Sequence, residues 1–347
     1  MDYVLKSIKK RADAGDTAAM VELGKKFMNG DGVKKNYKKA LKYLERATSE
    51  RDAEAFVELG KLHLKMSSIL TEADARTKAE DAWTRADGLG SVEAAYRIGR
   101  LYCQAGYVAR NRDKAEFWYK RAADKGYAPA QYELGDLYLH KYEGRAKESF
   151  ELMKKAAEGG VAEAYETLGN FYAFSDLGMA DNDKAIAAFS AAANAGITSA
   201  MTMLASFYID NGEAKKGIAA YEQAAEKGDR IAMALLGDSY YSGDVVERDY
   251  DKAFYWYNRA ADKYYPHTFF GVARCYLYGN GAERDVKKAV KYLKGAADID
   301  GNAAYELGNC YFNGWGVKQD RDEAKRLWQV AADRDCEEAQ KALKENF

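Results

Sequence analysis

The side chains that could ligate a metal or act as base and nucleophile are few: His63, His140 and His267, and Cys103, Cys275, Cys310 and Cys336. Their spacing argues against both uses. Each His stands in a different stretch, no HExxH pattern occurs, and no two cysteines have CxxC spacing, so neither zinc-protease nor zinc-ribbon chemistry is written here. A Ser-His-Asp site would need a nucleophile elbow and an oxyanion-type glycine loop, and the chain has neither. The segments Gly30-Asp31-Gly32-Val33, Gly279-Asn280-Gly281 and Gly314-Trp315-Gly316-Val317 invite comparison with phosphate cradles. They lack the GxxxxGK[ST] pattern and a preceding strand, so turns account for them. Carboxylate pairs such as Glu337-Glu338 and Asp181/Asp183 read as helix caps or solvated surface, and the cysteines as small buried hydrophobes. The expectation is no catalytic residue, no metal and no cofactor.

The elements carrying these residues recur. A Leu-Gly-type pair returns about every 36 residues, with its small residue at Gly24, Gly60, Gly99, Gly135, Gly169, Ala205, Gly237, Ala273 and Gly308. An aromatic follows three residues later in most units. Then come two small residues seven apart: Ala40/Ala47, Ala79/Ala86, Ala115/Ala122, Ser149/Ala156, Ala185/Ala192, Gly217/Ala224, Ala253/Ala260, Ala289/Ala296 and Ala324/Ala331. Seven residues is nearly two helical turns, so each pair lies on one face of a second helix, B, that packs closely on the helix A carrying Leu-Gly.

The distance from the second Ala to the next mark is 13 residues seven times and 12 once. The distance from the mark to the first Ala is 16 in six units but 19, 14 and 12 in the second, fourth and sixth. Length changes therefore gather in the A-to-B connection, as in a surface loop on one edge of a stack. Asn36, Asn111, Asp181, Asp249, Asp285 and Asp320 are placed to cap helix B. Gly90, Gly126, Gly160, Gly196 and Gly228, four beyond the second Ala, are placed to end it. Pro129 and Pro266 precede helix A, where a missing N–H is tolerated.

The stretches Ala130–Tyr138 (AQYELGDLY) and Asp249–Ala261 (DYDKAFYWYNRAA) resemble the two halves of the Sel-one-like repeat (SLR), a relative of the tetratricopeptide repeats. The resemblance runs from about Thr17 to Cys336. It implies an all-α fold: a right-handed superhelical solenoid of about nine helix-turn-helix repeats over 17–336, with capping helices at 1–16 and 337–347. It also implies an adaptor or scaffold for protein complexes, with a concave face lined by helix A and no catalytic residues.

Bulk properties agree. At 347 residues the chain exceeds what one ordinary core supports, a limit that a stack of nearest-neighbour repeats escapes. A net charge of −1 offers no general case for nucleic acid or an anionic membrane. Apolar runs fall short of a membrane helix, and residues 1–30 lack the apolar core of a secretory signal. A cytoplasmic protein is expected, with secretion after signal removal as the other route.

Carried over as geometry, the concave face lies beside the buried Leu and aromatic of helix A. Three residues before the mark, Tyr96, Tyr132, Phe270 and Tyr305 are groove candidates, with packing between neighbouring repeats as the alternative. One residue after it stand Lys25, Lys61, Arg100, Asp136, Asn170, Ser206, Asp238, Arg274 and Asn309. This row begins with three cations and turns neutral or acidic. Lys26, Lys34, Lys35, Lys38, Lys39 and Lys42 add to the basic end. The expectation is either a solvated face or a site for an acidic segment of a partner protein. Tyr102, Tyr138, Tyr172, Tyr208, Tyr240, Tyr276 and Tyr311 are expected in the core. A protein-interaction scaffold leads, an immunity-type inhibitor of a cognate enzyme or toxin is its more specific form, and a carbohydrate-binding protein or enzyme is the competing class.

Overall fold

The computed structural model describes residues 3–66, 70–103, 111–141, 144–174, 178, 180–262 and 265–347. Met1 and Asp2 of the expected leading cap lie outside them. Two compact units divide the chain, Met1–Ala180 and Asp181–Phe347. The first holds α1 (Tyr3–Asp13), α2 (Thr17–Asn29), α3 (Tyr37–Thr48), α4 (Ala53–Lys65), α5 (Glu72–Gly88), α6 (Val92–Cys103), α7 (Arg112–Ala123), α8 (Ala128–Lys141), α9 (Ala146–Glu158) and α10 (Ala162–Phe174). The second holds α11 (Asn182–Asn194), α12 (Thr198–Asp210), α13 (Ala214–Glu226), α14 (Arg230–Ser242), α15 (Tyr250–Asp262), α16 (Phe269–Tyr278), α17 (Val286–Ala296), α18 (Gly301–Asn313), α19 (Arg321–Ala332) and α20 (Glu337–Asn346). Even-numbered helices from α2 to α18 are the A helices, and odd-numbered helices from α3 to α19 are the B helices. The fold is an all-α solenoid of helical hairpins.

The local signals act as their chemistry requires. Each of the six expected B-helix caps accepts a hydrogen bond from the backbone N–H three residues on, at 2.9–3.0 Å. In five of these 16-residue connections, the cap's own N–H donates at 2.8–3.2 Å to the carbonyl of the aromatic nine residues earlier: Asn36 to Phe27, Asn111 to Tyr102, Asp249 to Tyr240, Asp285 to Tyr276 and Asp320 to Tyr311. Asp16, Asp52, Asp229 and Asp300 cap A helices in the same way. The five B-helix stop glycines have φ between 81° and 98°. The same position in the first and last repeats holds Arg51 and Asp335, at φ 56° and 61°, the two non-glycine residues with positive φ among those described. Pro129 lies inside the first turn of α8, whereas Pro266 opens a 3-10 turn, Pro266–Thr268, ahead of α16.

The glycine mark has a steric cause. Four residues beyond the first small residue of helix B stands a large side chain, and it lies flat on the glycine of helix A. A Cβ at Gly60 would meet Trp83 at 2.3 Å, at Gly99 Tyr119 at 2.5 Å, at Gly237 Tyr257 at 2.4 Å and at Gly308 Trp328 at 2.5 Å. The paired alanines beneath these side chains, from Ala40 to Ala331, are fully buried. Polar atoms of the large residues are also used. The indole N–H of Trp83 donates to the Val57 carbonyl at 3.0 Å, and that of Trp328 to the Tyr305 carbonyl at 3.3 Å.

The aromatic mark is closed by a lysine rather than by a dry core. The lysine just before the first Ala lies over the ring in five hairpins: Lys39 on Phe27, Lys114 on Tyr102, Lys216 on Tyr208, Lys252 on Tyr240 and Lys288 on Tyr276, with Nζ 4.9–5.5 Å from the centroid. Each such contact contributes roughly 0.5–1 kcal/mol at an exposed site. This corrects the core assignment in part. Tyr102, Tyr138 and Tyr240 are buried, but Tyr172, Tyr208, Tyr276 and Tyr311 are half-buried. At the ends, Leu5, Ile8 and Ala12 of α1 pack on the first hairpin, and Ala339 of α20 packs on the last.

Candidate interaction surface

In the first unit Lys25 and Lys61 bridge successive A helices. The cations are not free. Lys25 on α2 pairs with Glu54 on α4 at 3.1 Å. Lys61 on α4 pairs with Glu58 at 2.6 Å and with Glu93 on α6 at 3.0 Å, and Arg97 meets Glu93 at 2.7 Å. Arg100 lies 5.9 Å over the ring of Tyr96. Burial works against the Glu93 carboxylate, but hydrogen bonds from Arg97 and Lys61 outweigh it and hold the group below its ordinary range. The hydrogen bond that Lys25 donates to Glu54 likewise raises the pKa of its ammonium. The basic beginning of the row is thus a ladder of ion pairs between neighbouring repeats, not an open basic patch.

Beyond Arg100 the surface becomes acidic. Burial pushes the Tyr132 phenol up to about 12, helped by the charges of Asp136, Glu163, Glu133 and Glu166. Burial also raises the Glu133 carboxyl. His140 Nδ1 lies 3.0 Å from the Asp136 backbone carbonyl oxygen and 3.2 Å from its carboxylate, and Asn170 is exposed on α10. Tyr96 packs between repeats, 5.3 Å from Tyr127 and 6.1 Å from Tyr119.

In the second unit α14, α16 and α18 assemble a denser cluster. Arg274 stacks 3.9 Å from the ring centroid of Tyr241 and 5.4 Å from that of Phe270. Asn280 donates to the Tyr241 hydroxyl at 3.0 Å. Tyr278, 53% exposed, donates to Glu306 at 2.7 Å, and Asn309 donates to the same carboxylate at 3.4 Å. Asp238 remains open to solvent on one side but is crowded by protein on the others. That crowding raises its carboxyl, against the hydrogen bond from Tyr257 at 2.6 Å and the nearby Arg274. Tyr305 packs on Trp328 at 6.4 Å and belongs to the hairpin more than to the surface. Sequence reasoning missed Tyr241, Tyr278 and Glu306. Tyr241 follows the aromatic mark Tyr240 directly, so pattern alone does not separate the packed ring from the presented one.

The cysteines are largely enclosed by protein. Cys275, Cys310 and Cys336 are buried, Cys103 is partly so, and none is disulfide-bonded. Burial pushes the Cys275 thiol up to about 12 and the Cys310 thiol to about 11. Among the described residues, no group of three or more His, Cys, Asp or Glu side chains is arranged to hold a metal ion, and no helix is long and apolar enough to cross a membrane.

Hairpins with repeated packing and a varied A-helix surface define a helical-repeat solenoid. The Sel1 repeat model matches residues 17–52, 92–127, 128–161, 230–265, 270–300 and 301–336, more than half of the chain, which therefore belongs to the Sel1 repeat family. Such repeats generally mediate protein–protein interaction. The crystal structure of c5321, a protective antigen of uropathogenic Escherichia coli with an SLR fold, is similar at a TM-score of 0.82 and 24% identity, over 99% of this chain and 75% of that one. A Sel1 repeat protein from Oxalobacter formigenes is similar at 0.68 and 25% identity, over 88% of this chain and 90% of that one. No curated protein matches the sequence.

Proposed function

We propose that the protein is a non-catalytic interaction scaffold that holds a peptide segment or folded partner against its A-helix surface. The observation that supports this most is the Phe270–Arg274–Tyr241 stack with exposed Tyr278 beside it. Aromatic rings and a guanidinium held rigid at a surface are the residue types that dominate binding energy at protein interfaces. Side chains already packed on one another lose less entropy on binding than free ones.

The test is affinity capture from the source cells, followed by reconstitution with the purified partner. Arg274→Glu combined with Tyr278→Ala is expected to weaken the reconstituted complex at least about tenfold, the loss of one hot spot, with the melting temperature little changed. Phe117→Ala with Tyr255→Ala, on exposed B-helix positions, should leave it intact. The reverse pattern would place the interface on the B helices and defeat the proposal.

A further inference from the structure

We propose that the first repeat carries a separate docking pocket for an acidic peptide segment of a partner, one whose carboxylates flank an aromatic or aliphatic side chain. This rests on reading the protein as an interaction scaffold, but it concerns a different surface from the A-helix seam.

The pocket lies between α1, α2, the α2–α3 connection and α3, with a volume of about 570 Å³. Lysines converge on it from three directions: Lys9 from α1, Lys34 and Lys35 from the connection, Lys39 and Lys42 from α3. All five are exposed, and none forms an ion pair among the described residues. No carboxylate lines the pocket. Its floor is apolar. Phe27 and Tyr43 stack at 6.1 Å with their planes 6° apart, and Leu23 and Val33 adjoin them. Lys39 already lies over the Phe27 ring at 5.3 Å, so its ammonium sits at the rim of this floor.

Comparison with a later repeat shows that this is not a general property of the hairpin. The equivalent cavity of the eighth repeat is lined by Glu283, Asp285, Arg284, Lys287 and Lys288, and Lys288 is paired with Asp285 at 3.4 Å. In the first repeat, Lys34 stands where that repeat has Glu283, and the neutral cap Asn36 stands where it has Asp285. Both carboxylates have gone, and the cations are left unpaired. The flank is open as well. In the eighth and ninth repeats the second loop glycine presses on the preceding B helix. A Cβ at Gly281 would lie 1.9 Å from the Tyr250 carbonyl oxygen, and one at Gly316 would lie 2.8 Å from that of Val286. Gly32 meets nothing within 4 Å. Five unpaired cations round an apolar floor leave the charge balance to an incoming ligand, and an acidic segment with one apolar side chain supplies both complements.

The probe is a fluorescein-labelled peptide of Glu residues around a central Phe, with a Gln-for-Glu peptide as comparison, followed by anisotropy. The Glu peptide is expected to bind the wild-type protein at least about fivefold tighter at roughly 50 mM than at roughly 300 mM sodium chloride, as screening demands. Lys39→Glu with Lys42→Glu should weaken it about tenfold or more. Lys155→Glu with Lys227→Glu, an equal charge change elsewhere, should not, and melting curves confirm that both variants fold. No binding of the Glu peptide at low salt, equal loss in the two variants, or binding by phosphatidylserine vesicles in place of the peptide would each overturn the pocket. Any of these with partner capture through Arg274 and Tyr278 intact would leave the scaffold reading standing.

Discussion

His63 occupies the position held by Phe27 in the first repeat and by Tyr in the other seven. Its ring is buried and its Nδ1 has no hydrogen-bond partner among the described residues. Burial lowers its pKa, and Lys78, the residue placed like the ring-covering lysines of other hairpins, lowers it further, against a smaller opposing effect of Asp81. In the unfolded chain the imidazole takes up a proton near its ordinary pKa of about 6.5, while the folded protein resists it. The neutral ring's contribution is therefore complete above that pH and is lost as pH falls below it. His63→Phe removes the titration and fits the aromatic position. The variant's advantage in melting temperature should be larger at about pH 5 than at about pH 7.5. A difference that stays constant with pH would mean that His63 does not titrate against folding.

Each hairpin depends on a small residue in helix A lying under a large one in helix B. At Gly237 an added methyl would sit 2.4 Å from the Tyr257 ring, which is fully buried and held at its far end by Asp238. The ring has little room to yield, so Gly237→Ala should cost about 1–3 kcal/mol in chemical denaturation, the usual range for overpacking. A cost near zero would show that the hairpin opens freely. The hairpins themselves were legible in the sequence because caps, stop glycines and paired alanines are local signals, repeated often enough to check one another. The charge of the A-helix row was not legible. The partner of Lys25 lies 29 residues on, and one of the two partners of Lys61 lies 32 on, in the next repeat. Reading one column of the repeat showed three cations, and the neutralising carboxylates stand in other columns. The same limit hid Tyr241 and Tyr278, whose role comes from Arg274 and Glu306 on adjacent helices.

Repeats that contact only their neighbours should lose stability locally rather than all at once. The loop edge supplies a sensitive probe of that coupling. Gly281, at φ 72°, rests against the Tyr250 carbonyl at the start of α15, so it joins the connection of the eighth repeat to helix B of the seventh. Alanine there meets two penalties: a backbone region that L side chains rarely adopt, and a Cβ that would overlap a carbonyl held in a helix. Helix α15 cannot shift without disturbing Tyr257 and Trp256, both buried in the hairpin. Gly281→Ala should therefore speed amide hydrogen exchange in α15, α16 and α17 by at least about tenfold, corresponding to roughly 1.4 kcal/mol of local opening. Helices α2 to α5 should keep wild-type protection, because a stack of nearest-neighbour repeats passes strain only from one repeat to the next. Mass-spectrometric exchange on the full chain separates these regions. A uniform acceleration from α2 to α19 would show one all-or-none unit and contradict nearest-neighbour stability. A change confined to the loop peptide would show that the Gly281 contact does not couple the two repeats.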